Sequence, residues 1–253
     1  FDLHSAPYRG TMKQPKKGGG ITMNRRAWML TLLLVIVFNL SWATEAIYFE
    51  CPILAQTVRE AKGFTGAMTG AIYPADVSGI EELDAIGRGI VSLEGIQHLN
   101  NLQHLYCDRN LIGDLTSLQN LINLQTLTFD GNQVSDLTPL QHLINLQVLI
   151  FKNNQVGSIE SLENLTNLQV LWFGGNQVSD LRPLQNLTSL WELYFWGNQV
   201  CDISPLVANT GLSNEALINM QYNNLNLSPG SQNMIDIHTL IHRGAVVEYE
   251  PQN

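Results

Sequence analysis

Residues 115–136 read LTSLQNLINLQTLTFDGNQVSD, and residues 137–158 read LTPLQHLINLQVLIFKNNQVGS. Aligned, the two segments share Leu at positions 1, 4, 7, 10 and 13, Phe at 15, Asn at 18 and Val at 20. The columns extend outward without a slip. Position 1 is Leu93, Leu115, Leu137, Ile159, Leu181 and Ile203, and position 13 is Leu105, Leu127, Leu149, Leu171 and Leu193. Position 15 is Cys107, Phe129, Phe151, Phe173 and Phe195, and position 18 is Asn110, Asn132, Asn154, Asn176 and Asn198. Backwards, Val77, Ile80, Leu83, Ala85 and Ile90 keep the pattern while Arg88 replaces Asn; forwards it returns three residues late at Ile218, Met220, Asn223 and Leu225.

Each column has a physical reading. Positions 13 and 15 flank one outward residue, the period of a strand. The Leu at positions 1, 4, 7 and 10 point inward from the other walls of the coil. A single coil cannot bury its apolar face, but stacked neighbours can. The Asn at 110, 132, 154, 176, 198 and 223 is expected to turn the chain and to satisfy backbone groups of adjacent coils. The pattern L-x-x-L-x-L-x-x-N-x-V is the leucine-rich-repeat signature. The expected fold is α/β: a right-handed leucine-rich-repeat solenoid, a horseshoe arc with a parallel concave β-sheet. It has an N-terminal cap helix and a C-terminal helix-strand cap.

The termini define the remaining segments. Pro52 is a good helix start, with Leu54 and Val58 sharing one face before Gly63, so residues 47–70 are expected to form the N-terminal cap. Repeats occupy 71–225. A C-terminal cap follows over 226–253, where Met234, Ile237, Leu240 and Ile241 have helical spacing, Gly244 ends the helix, and Val246, Val247 and Tyr249 form an edge strand. Met23-Asn24-Arg25-Arg26 followed by the apolar run Met29 to Val37 reads as a signal peptide over 23–46. Ser41-Trp42-Ala43 and Thr44-Glu45-Ala46 offer cleavage sites, and the run is shorter than the ~20 residues of a membrane span. Residues 1–22 are expected to be a non-native or untranslated leader. Lys17-Gly18-Gly19 can be encoded by AAAGGAGG, a bacterial ribosome-binding sequence, shortly before Met23.

From residue 47 onward, seven Lys and Arg face 20 Asp and Glu. Such a surface argues against nucleic acid or anionic membrane as partner. The three cysteines have no metal-site or disulfide spacing. No catalytic constellation is present, so the chain is read as a non-enzyme without cofactor or metal. His238 and His242 are four apart on a helix, but solvated cap residues are the favoured reading. Asp136, Asp180 and Asp202 recur at position 22 and read as turn residues in preference to calcium ligands.

The segments quoted above, with the recurrent Asn-Gln-Val-Ser-Asp-Leu-x-Pro-Leu of 132–140 and 176–184, resemble the internalin type of bacterial leucine-rich-repeat protein. The leading segment Gly87-Arg88-Gly89-Ile90 and the closing Leu206-Val207-Ala208-Asn209-Thr210-Gly211-Leu212 carry the resemblance further. It covers about residues 50–250. It implies a secreted or surface-displayed bacterial protein that binds other proteins through its concave face. Between residues 1 and 253 there is no immunoglobulin-like domain, wall-sorting motif or repeat stalk, so virulence-type adhesion is not carried over.

The informative residues face outward from the strands, at positions 12, 14 and 16. The first half of this surface is polar and acidic; the second is aromatic and aliphatic. Tyr106, Asp108, Asp130, Ile150, Lys152, Trp172, Glu192, Tyr194 and Trp196 are the candidate ligand-binding residues. Contiguous apolar surface on a face that makes no core usually marks a binding site. A protein or peptide ligand is expected, with a monomeric, exported module presenting the surface at the cell surface, in the periplasm or in the medium. The alternative is a carbohydrate-binding surface module, since aromatic platforms also stack on sugars.

Overall fold

The computed structural model describes residues 45–63 and 70–253. The leader and nearly all of the signal segment lie outside the described residues. Eight three-residue strands follow in chain order: β1 (Glu82–Asp84), β2 (His104–Tyr106), β3 (Thr126–Thr128), β4 (Val148–Ile150), β5 (Val170–Trp172), β6 (Glu192–Tyr194), β7 (Leu217–Asn219) and β8 (Val246–Glu248). They form one parallel sheet in the order β1 to β8. Pairing follows the columns, with Leu83, Leu105, Leu127, Leu149, Leu171, Leu193 and Ile218 opposite one another in turn. A register slip by one residue would turn every one of these side chains out of the core.

Five coils return through a single 3-10 turn: Ile96–His98, Thr116–Leu118, Thr138–Leu140, Glu160–Leu162 and Arg182–Leu184. Asp114, Asp136 and Asp180 lead into such returns, and Asp202 into the short helix Ser204–Ala208, each accepting the backbone N–H two residues on at 2.8–2.9 Å. The carboxylate satisfies a donor that a short helix leaves free. Inside, the leucines are fully buried, and Phe129, Phe151, Phe173 and Phe195 stack at 5.5, 5.8 and 5.7 Å between centroids. Cys107 continues this buried column.

Each position-18 Asn ties two coils together. The Asn132 Nδ2 donates to the carbonyls of Phe129 (2.9 Å) in its own coil and Cys107 (3.0 Å) in the coil before. Its Oδ1 accepts from Ile112 N–H at 3.0 Å. Asn110, Asn154, Asn176, Asn198 and Asn223 repeat this arrangement, all buried. A second amide column, at position 9, runs on the outside. Asn101, Asn123, Asn145 and Asn167 donate to the carbonyls of Ser78, Asn100, Ile122 and Ile144 one coil earlier.

Helix α1 (Pro52–Ala61) buries Leu54 and Val58 and packs against β1. The one-turn helix α2 (Pro74–Val77) precedes β1, and α3 (Ser204–Ala208) takes the place of a 3-10 turn before β7. Helix α4 (Gln232–His242) packs on α3 and β8. Its Ser231 hydroxyl accepts from Met234 N–H, and Gly244, at φ +95°, closes its far end. Ile237 and Leu240 are buried, but Ile241, expected on the inner face, is exposed. The buried stripe runs through Asn233, Asp236, Ile237 and Leu240 instead. Asn233 sets that rotation: its amide donates to Cys201 O and accepts from Asn226 N–H. Ile241 therefore falls off the stripe.

Candidate functional site: the open face of the sheet

The core occupies one side of the sheet, and positions 12, 14 and 16 occupy the other. The candidate residues gather there because the repeat places each at the same height on successive strands. Trp172 and Tyr194 are Cα partners on β5 and β6. Their rings stack at 5.2 Å with an interplanar angle of 11°. Ile150 on β4 is the partner of Trp172 on the other side. Lys152, just after β4, holds its Nζ 4.8 Å from the centre of the Trp172 ring and 3.0 Å from Asp130 Oδ2. The ammonium thus bridges the acidic half of the face to the aromatic half.

The acidic half is internally wired. The Asp130 Oδ1 accepts the Lys152 N–H at 2.6 Å. Asp108 accepts the Asp130 N–H at 2.7 Å and the Thr128 hydroxyl at 2.8 Å. Burial pushes the Asp130 carboxyl above the usual carboxylate range; the Lys152 ammonium and N–H oppose that, while Asp108 adds to it. Burial likewise raises the Tyr194 phenol, with the negative charges of Glu192 and Glu248 adding to the shift. Tyr106 lies half-buried on β2, two strands from Ile150.

Trp196 is held differently. A side-chain carbon at residue 174 would come within 2.4 Å of its indole ring. Gly174 is thus the seat on which the ring rests, a role that its outward position in the repeat does not disclose. The rings of this patch face outward from the strands without standing free of one another. Ile150, Trp172, Tyr194 and Trp196 are half-buried, because they pack on one another and on the sheet, and Thr128 and Gly174 are buried outright. Ile122 and Ile144, at position 8 in the turn before the strand, are by contrast exposed apolar side chains of the repeats.

His238 and His242 are exposed on α4. Among the described residues, no group of three or more His, Cys, Asp or Glu is placed to hold a metal ion. No described helix is long and apolar enough to cross a membrane.

One parallel strand per 22-residue coil, the asparagine ladder and the stacked Phe column define a leucine-rich-repeat protein. The family model for leucine-rich repeats (two copies) matches residues 122–164, 144–185 and 166–208. The structure superposes on internalin C2 of Listeria monocytogenes with a TM-score of 0.58 and 34% identity, over 79% of this chain and 94% of that one. For an internalin F of the same organism the TM-score is 0.69 and the identity 28%, over 79% of this chain and 55% of that one. A segment of 66 residues is 38% identical to internalin H, spanning 26% of this chain and 12% of that protein. The chain belongs to the internalin family of bacterial leucine-rich-repeat proteins, and it spans little more than half of internalin F and a small part of internalin H.

Proposed function

We propose that the chain is a non-enzymatic binding module, exported from a bacterial cell, that recognises a protein or peptide ligand on the open face of its sheet. The observation that carries this reading is the surface made by Ile150, Trp172, Tyr194 and Trp196. It lies on the side of the sheet that builds no core. Large aromatics are the side chains most often found as interface hot spots. The Trp172–Tyr194 stack, the ammonium over Trp172 and the seat at Gly174 hold these rings in place before any partner arrives. Little side-chain entropy is then lost on binding. Family membership supports a recognition role and leaves the ligand open. Export rests on the apolar run after Arg25-Arg26, and a monomer is expected.

The test is a paired capture. Residues 47–253 are immobilised as the natural sequence, as Trp172→Ala/Tyr194→Ala, and as the control Ile122→Ala/Ile144→Ala. A protein retained by the first and third baits and lost from the second supports the reading. Equal retention on all three places binding elsewhere. A glycan array probed with the same domain tests the sugar-binding alternative.

A further inference from the structure

We infer that the partner on this face is a basic, extended protein segment with an apolar anchor at its centre; the inference rests on the binding role proposed above. The outward columns of the sheet carry the carboxylates of Glu82, Asp84, Asp108, Asp130, Glu192 and Glu248. Among the described residues, Lys152 is the one Lys or Arg on those columns, and its ammonium already faces Asp130 and Trp172. The field over the face is therefore negative at both ends, with the aromatic surface between them.

The spacing favours a chain over a small ion. The carboxylates are spread over β1 to β3 at one end and over β6 and β8 at the other, and do not converge. Asp108 and Asp130 are further engaged by backbone N–H groups. Adjacent strands lie about 4.8 Å apart, so the path from Asp84 on β1 to Glu248 on β8 is roughly 34 Å. An extended segment of about ten residues spans that distance at ~3.3 Å per residue. Its central side chain would meet Trp172 and Tyr194, and its Lys or Arg would meet the carboxylates at each end. An acidic segment would meet like charge at both ends, and such repulsion is how interfaces reject wrong partners.

Two synthetic peptides test this. One has Trp at its centre, Leu beside it and Lys at both ends; the other has Glu in place of each Lys. Their binding to residues 47–253 is measured by calorimetry at low and at high salt. The lysine peptide is expected to bind at least about tenfold tighter than the glutamate peptide and to weaken steeply with salt. It should also weaken several-fold on Glu82→Gln/Asp84→Asn/Glu248→Gln, a variant whose changes are all at exposed positions. Equal binding of the two peptides, or none by either, overturns the charge inference. Lysine-peptide binding that is sensitive to salt but untouched by Trp172→Ala/Tyr194→Ala shows instead that the underlying assignment of the face is wrong.

Discussion

The Trp196 indole occupies the space above Gly174 that any side chain there would need, with a nearest approach of 2.4 Å to an added Cβ. The contact is between ring and backbone, so only glycine permits it. We predict that Gly174→Ala expels the ring towards solvent and changes stability by no more than about 1 kcal/mol, because a half-buried surface ring can swing aside where a core side chain cannot. The Trp196 contribution to fluorescence, obtained by difference from Trp196→Phe, should shift towards that of exposed indole. An unchanged spectrum would show that the ring rests elsewhere.

The asparagine ladder should be strictly structural. Asn154 bonds Phe129 O, Phe151 O and Val134 N–H at 3.0–3.1 Å, all in the interior. Asn154→Ala orphans these groups and is expected to reduce stability by roughly 1–3 kcal/mol. Gln155→Ala, one residue on and exposed, should change it by less than about 0.5 kcal/mol. Urea denaturation of the two variants gives the comparison, and equal effects would contradict the ladder's role.

Thiol chemistry discriminates the three cysteines. Cys201 is exposed, whereas Cys51 and Cys107 are buried. Burial pushes the Cys107 thiol far up, and its Sγ–H donates to Thr128 O at 3.1 Å. At Cys51 burial acts in the same direction, but the backbone N–H groups of Val91, Leu54, Ile53 and Ser92 together outweigh it and leave the thiol below its usual range. Reactivity also needs access. A disulfide reagent should therefore titrate one thiol promptly in the native protein and the other two only on unfolding. Loss of the fast phase in Cys201→Ser completes the assignment; a fast phase that persists would exclude it.

Asp130 gives a prediction with a definite sign. Its pKa is raised in the fold, chiefly by burial, despite Lys152. A carboxyl raised on folding contributes stability that is full below its unfolded value, ~3.9, and is lost as pH rises through the folded value. Asp130→Asn keeps an oxygen for the Lys152 N–H and removes the charge. It should match the natural protein in acid and equal or exceed its melting temperature at pH 7. A variant whose stability falls below that of the natural protein between acid and neutral pH would mean that the ion pair outweighs burial.

The repeat was legible in the sequence because 22-residue columns repeat one physical environment many times. Leu127, Phe151 and Asn154 each report the same wall as their counterparts one coil away. Single, unrepeated events were not legible. The rotation of α4 that exposes Ile241 depends on Asn233 reaching Cys201, 32 residues away. Gly174 reads as an empty outward position until Trp196, one coil later, is placed over it. The outward residues could be assigned to a face from register alone. Their mutual packing could not, because it depends on rotamers that no periodicity encodes. The position-9 column, Asn101, Asn123, Asn145 and Asn167, was visible as a pattern. Its hydrogen bonds to the preceding coil could have been inferred from the same logic as the inner ladder.

In the function proposed above, the Trp172–Tyr194 pair serves recognition and the Phe column serves folding. One measurement separates the two: the stability of Trp172→Ala/Tyr194→Ala and of Phe173→Ala by denaturant, beside the binding of the double variant to a captured ligand. Removing the stacked pair forfeits a ring–ring contact of about 0.5–1.5 kcal/mol and the half-buried area around it. The double variant should still unfold cooperatively and remain fully folded under binding conditions, with affinity reduced by at least ~2 kcal/mol. Phe173→Ala, at a fully buried position in the middle of the stack, should lose roughly 3–5 kcal/mol of stability. A folded double variant that binds at full strength would contradict the assignment of this face.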